Sequence, residues 1–144
     1  MREILFKAKR KDDAKWVEGY FAIICEKTVI IEKESEKYYS IDDEKNSCGN
    51  RITEINPETL CQFTGLCDKN GKKIWENDIL MAHLDESYPE DATYETVEWG
   101  VAGFVTYEAG STDREYLDEF DLEYFEVVGN VFDNPELLQE ESDE

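Results

Sequence analysis

Apolar residues fall in short runs along this chain, separated by charged or turn-forming stretches, and the runs alternate more often than they repeat at helical spacing. That is the pattern of β-strands. Ile4 to Arg10 reads as a strand, the charged run Lys9 to Asp13 turns the chain, and Trp16 to Ile24 follows as a second strand, so a hairpin is predicted. Val29 to Ile31 and Tyr38 to Ile41 are two further strand candidates, and Asp42 to Asn50 is a polar loop. Ile52 to Ile55 reads as an edge strand closed by Asn56-Pro57. Pro57 presets its own φ, which favours one helical turn through Leu60.

The stretch Gln62 to Leu80, QFTGLCDKNGKKIWENDIL, is the most informative. Cys61 to Thr64 is extended and Asp68-Lys69-Asn70-Gly71 is a turn; Asn-Gly is the strongest short hairpin signal, because both residues tolerate the positive φ of a type I′ turn. Lys73 to Trp75 leads away, Glu76-Asn77-Asp78 forms a second tight turn whose side chains reach local amides, and Ile79 to Leu84 is the next strand. A long acidic loop over 85–94 precedes strands at Glu95 to Trp99 and Phe104 to Tyr107, joined by a turn at Gly100 to Gly103. Ala109 to Arg114 is a loop. Tyr116 to Phe125 carries both helical and alternating spacing and stays open between them. Glu126 to Phe132 is a strand, and Asn134-Pro135 starts a short helix.

The predicted fold class is therefore mainly β, with few and short helices: short antiparallel strands, a small SH3-like barrel in the second half, and a short C-terminal helix. A single compact domain is expected over 1–138, with a hairpin region at 1–60, a barrel-like region at 61–132, a terminal helix at 134–139 and an acidic tail at 139–144. At 144 residues the chain is long enough to bury a core. No apolar stretch approaches the roughly 20 residues of a helical membrane span. A soluble protein of the bacterial cytoplasm is expected, with no membrane partner.

Charge narrows the partners. Residues 1–81 hold 14 basic and 16 acidic residues, net −2, whereas residues 82–144 hold one basic residue, Arg114, and 20 acidic ones, net −19. So negative a surface repels phosphate backbones, which argues against direct nucleic-acid binding. The basic run Lys7, Lys9, Arg10 and Lys11 is the one place that attracts phosphate, and Asp12 and Asp13 blunt it.

Candidate chemistry is thin. Asp68-x-Asn70 invites a calcium reading, but an EF-hand counted from Asp68 needs Gly where Lys73 stands and a carboxylate where Ile79 stands. Cys25, Cys48, Cys61 and Cys67 show no C-x-x-C or zinc spacing, and a cytosolic chain keeps such thiols reduced. His83 is the sole imidazole and sits in a strand-like run with no nucleophile signature around it. No phosphate-cradling glycine loop is present. Trp16, Phe63, Trp75, Trp99 and Phe104 lack a basic groove for base stacking and read as core. Catalytic, cofactor-binding and metal-ligating residues are all expected to be none, and Asp68, Asn70 and Asp78 are expected to bend the chain.

Three blocks, REILFKAKRKDDAKWVEGYF (2–21), QFTGLCDKNGKKIWENDIL (62–80) and FEVVGNVFDNPELL (125–138), together resemble the signature blocks of the YopX family of small phage and prophage proteins. The usual central block has Gly where this chain has Asn77, and Lys or a similar residue where it has Cys67. The resemblance implies a β-rich, self-associating protein with no established activity, and it supplies no site residues. The expected function is a non-enzymatic interaction or assembly module, its partner a second copy or a host or phage protein. Two alternatives are an acidic DNA mimic that inhibits a host DNA-binding protein, and an uncharacterised hydrolase.

Overall fold

The computed structural model describes residues 4–32, 51–82 and 92–138. The strand expected at 38–41, together with Cys48, His83 and the tail 139–144, lies outside the described residues. The chain falls into two compact units, Met1–Gln62 and Phe63–Glu144, and passes from one to the other within a single strand.

In the first unit, β1 (Phe6–Lys9), β2 (Trp16–Ile24), β3 (Lys27–Glu32) and β4 (Ile52–Glu54) form an antiparallel sheet in the order β4-β3-β2-β1. The opening residues of β5 (Cys61–Cys67) pair back onto β1, with Phe6 opposite Gln62. The predicted hairpin is there, with Ala8 opposite Val17. Alternation places Ala8, Val17 and Ile30 on one face, where they join Ile55 in a buried cluster flanked by Phe6 and Leu60. Gly19 is required by close approach: a Cβ there would stand 2.1 Å from the Ile31 carbonyl oxygen. Pro57–Thr59 is a 3-10 turn, capped by the Asn56 carboxamide oxygen, which accepts from Glu58 N at 3.1 Å.

The β2–β3 connection carries a surprise. Cys25 and Glu26 both have positive φ, 52° and 67°. A two-residue turn of this form matches the twist of the flanking strands, yet neither residue type favours it.

In the second unit the rest of β5 pairs with β6 (Lys73–Trp75). β7 (Asp78–Ala82), β8 (Thr93–Trp99), β9 (Phe104–Glu108), β10 (Glu115–Tyr116) and β11 (Phe125–Asn130) form a five-stranded sheet in the order β10-β9-β8-β7-β11. Its core gathers Ile74, Leu80, Val97, Phe104, Phe125 and Val127. β8 starts at Thr93, two residues before the expected Glu95. The ambiguous stretch resolves into β10, then a 3-10 helix at Glu119–Tyr124 that turns Leu117 and Leu122 onto the core, then β11.

The fold is mainly β, as expected, built from antiparallel sheets. The closed barrel expected in the second half is not formed among the described residues: β10 and β11 are the two edges of an open sheet. A two-residue β10 offers too few backbone groups to draw the sheet shut. The expected terminal helix is a 3-10 turn, Pro135–Leu138. A regularity unread in the sequence also emerges. In both units the first strand pairs with the second and the fifth, and a 3-10 turn precedes the fifth: β4-β3-β2-β1-β5 in one, β10-β9-β8-β7-β11 in the other.

Candidate functional site

The polar residues of the central block do not converge on a common point for a ligand. Asp68 is buried at the end of β5, Asn70 is exposed at the tip of the turn, and Asp78 is buried at the start of β7. Each is engaged in the backbone of its own segment.

Asp68 makes the turn. Its Oδ1 accepts from Asn70 N at 2.8 Å and from Lys72 N at 2.9 Å. The backbone closes with Asp68 N donating to Lys72 O at 2.8 Å and Gly71 N donating to Asp68 O at 3.0 Å. Only Gly71 takes positive φ, 82°, and neither Lys69 nor Asn70 does. The expected two-residue type I′ turn is therefore corrected to a three-residue loop whose last residue is left-handed. The reason is local: the carboxylate holds the amides of residues 70 and 72, so one glycine is enough to bring the chain round.

The second carboxylate oxygen does something no local pattern announces. Asp68 Oδ2 accepts from Val127 N at 2.8 Å, and Lys69 N donates to Phe125 O at 3.2 Å. β11 is an edge strand, and open edges are a liability because their unpaired amides and carbonyls invite pairing. Here two outward-facing groups of β11 are taken up by the tip of the central hairpin. Lys69 Nζ adds an ion pair to Glu126 at 3.8 Å. Burial pushes the Asp68 carboxyl up, but the amides of Val127, Lys72 and Asn70 and the charge of Lys72 outweigh it, so the group sits below its ordinary value.

Asp78 and Asn77 tie the second turn in the same way. Asp78 Oδ2 accepts from Trp75 N at 2.8 Å, closing the turn as expected. Asn77 has φ 72° and so adopts the left-handed conformation that Gly serves in the usual block. Its N–H donates to Val97 O at 2.7 Å and its carbonyl accepts from Val131 N at 3.0 Å. Beyond β11, Asn134 Oδ1 accepts from Asn130 N at 3.2 Å, and a Cβ on Gly129 would stand 2.4 Å from that same oxygen. The middle and last blocks are thus knit together by backbone hydrogen bonds to a few polar side chains.

The remaining candidates are as readily placed. Cys25, Cys61 and Cys67 are free thiols, and no three His, Cys, Asp or Glu residues among the described ones group as metal ligands. Lys7 and Lys9 flank the Trp16 ring, at 4.7 and 5.4 Å from its centroid. Arg10 lies 3.6 Å from Asp13 and 3.7 Å from Glu32, and Lys11 lies 3.2 Å from Glu54. The basic run is matched by its own carboxylates and makes no phosphate groove. An open cleft of about 440 Å³ beside it is lined by Arg10, Lys11, Arg51, Asp12 and Glu54, with balanced charge and no nucleophile. Phe63, Trp75 and Phe104 are buried, whereas Trp99 is not. No helix among the described residues is long and apolar enough to cross a membrane.

What sequence reasoning missed is a surface. On one face of the first sheet, Tyr20, Ile31 and Ile52 stand in one cross-strand row, with Ile24 further along β2. On the opposite face Phe21 and Ile23 run outward past the buried cluster. Ile23 is 66% exposed and Ile52 56%, and Tyr20, Phe21 and Ile24 are exposed too. The signal was present in YFAII, where apolar residues occupy both alternating positions of β2. A strand with one solvated face would have alternated.

Compared with known proteins, the chain matches the family model described as YopX protein over residues 5–139. Its fold is similar to the crystal structure of protein EF1440 from Enterococcus faecalis, with TM-score 0.58 and 20% identity, covering 96% of this chain and 100% of that one. The comparison with curated proteins gives no match.

Proposed function

Since the chain belongs to the YopX family, we propose that it is a non-enzymatic interaction and assembly module of phage or prophage origin, working in the cytoplasm and self-associating through the apolar β2–β3–β4 surface. The observation that carries this reading is the exposure of Tyr20, Phe21, Ile23, Ile24 and Ile52 together on one part of the first unit. Scattered exposed hydrophobes need no explanation, but a contiguous group on a sheet is the mark of an interface.

Charge supports the choice of surface. Residues 1–62 hold 11 basic and 13 acidic residues, net −2, and residues 63–144 hold four and 23, net −19. Two copies repel through their second halves and meet at least cost through their first. Strand order lends further support: with the first strand between the second and fifth and a 3-10 turn before the fifth, each unit follows the path of an SH3-like small barrel. Such scaffolds serve many functions through their surfaces, so the surface decides.

Light scattering across a wide concentration range tests the proposal. Wild type is expected above the 16.8 kDa monomer mass, and Ile23→Glu or Ile52→Glu at it. Both positions are exposed, so these substitutions leave the monomer folded. A wild type that stays monomeric at every concentration would overturn the proposal.

A further inference from the structure

A second surface, on the other unit, has a different chemistry. The β8–β9 turn is closed by Gly100 N donating to Gly103 O at 2.7 Å, and Val101 at its apex is fully exposed. Trp99 packs edge-on against Phe104, 4.8 Å between centroids, and still leaves 53% of itself to solvent. The Tyr116 ring on β10 lies beside Gly103, 3.6 Å from where a Cβ would be, and is 59% exposed. Two large aromatic residues and an aliphatic tip therefore share one end of the sheet. Glu98 and Glu115 stand next to Trp99 and Tyr116 in the chain, and Asp118 and Glu119 follow them.

Rings flanked by carboxylates are the chemistry that receives cationic side chains, the ring face taking the charge and the stem while the carboxylate takes the N–H donors. The unit contains its own example. Arg114, the single basic residue after Lys73, lies with its guanidinium carbon 3.9 Å from the Tyr107 ring centroid. Its Nε donates to Glu98 Oε1 at 2.8 Å and its Nη1 to Ser111 O at 3.0 Å. Tyr116 and Glu98 both stand across from Val105 in the sheet register, so they share a face. An internal arginine is held by the same ring-and-carboxylate chemistry that Trp99, Tyr116, Glu98 and Glu115 present to solvent.

We propose that the β8–β9 turn and β10 form a docking surface for a lysine- and arginine-rich segment of a partner protein. Charge complementarity favours this occupant over a second copy: the first half is close to neutral, and the second repels its like. The exposed rings distinguish the surface from a bare acidic field, because they reward a cation held in one place. The surface is separate from the β2–β3–β4 face, so either proposal stands without the other.

The test is titration calorimetry of the full chain against a short arginine- and lysine-rich peptide and a glutamate-rich control. Wild type is expected to bind only the basic peptide, more tightly at low salt. Trp99→Ala combined with Tyr116→Ala should weaken it about tenfold, the scale of two cation–π contacts. Val101→Lys, on a fully exposed tip that carries no folding role, should weaken it as well by placing a cation in the surface. Equal binding by wild type and both variants would mean attraction to net charge alone and overturns the proposal, as does absence of binding at low salt.

Discussion

Replacing Asp68 with Ala removes an acceptor from three backbone amides at once, and its cost can be worked from the geometry. Val127 N–H lies on a buried residue and loses its partner, which costs about 1–3 kcal/mol for an unsatisfied buried donor. The amides of Asn70 and Lys72 sit on exposed residues and exchange a carboxylate for water, at about 0.5–1 kcal/mol each. The sum is about 2–5 kcal/mol, a large share of the roughly 5–15 kcal/mol a domain has. Asp68→Asn should recover part of it, because one oxygen remains while the new NH2 meets a donor. Urea denaturation followed by tryptophan fluorescence measures this, and Trp75 and Trp99 both report on the second unit. The pH dependence is a second check. The folded-state pKa of Asp68 lies below the ordinary 3.8. A lowered pKa contributes stability that is whole above the unfolded value and fades as the pH falls through the folded one. The gap between wild type and Asp68→Asn should therefore be constant near neutrality and narrow below the ordinary value. A cost for Asp68→Ala under about 1 kcal/mol, or a gap that widens in acid, would refute the reasoning.

Three further outcomes follow from the same geometry. Gly129→Ala should destabilise by about 1–3 kcal/mol through collision with Asn134, and the loss should shrink in an Asn134→Ala background, which a double-mutant cycle of denaturant melts measures. Cys25→Asn with Glu26→Gly should stabilise by about 1–2 kcal/mol and raise the melting temperature, because both positions have positive φ. Asn77→Gly should be close to neutral and Asn77→Ala should cost about 1–2 kcal/mol in thermal melts, since Ala tolerates φ 72° less well.

Local signals carried much of this fold and stopped where contacts became distant. Alternation and turn chemistry located the β1–β2 hairpin, the Asp78-closed turn and the edge position of β4. Asn70-Gly71 correctly marked a turn, but its type depended on which amides Asp68 would hold, and that rests on one side chain instead of a dipeptide. The bond from Asp68 to Val127 spans 59 residues, and no local window contains it. The type I′ geometry arose at Cys25-Glu26, where the residues argue against it and the register of β2 with β3 imposes it. The shared strand order of the two units escaped notice because their connections differ: 33–51 separates β3 from β4, whereas 109–114 separates β9 from β10. The apolar surface was written in YFAII, yet such a run reads equally as a strand buried on both faces.

Hydrogen–deuterium exchange at low and high protein concentration tests the assembly claim most directly, because it locates the interface as well as detecting it. Amides of β2, the Cys25-Glu26 turn, β3 and β4 should exchange more slowly as concentration rises, while β8 to β10 stay unchanged. Protection that does not depend on concentration, or that appears in the acidic unit instead, would contradict it.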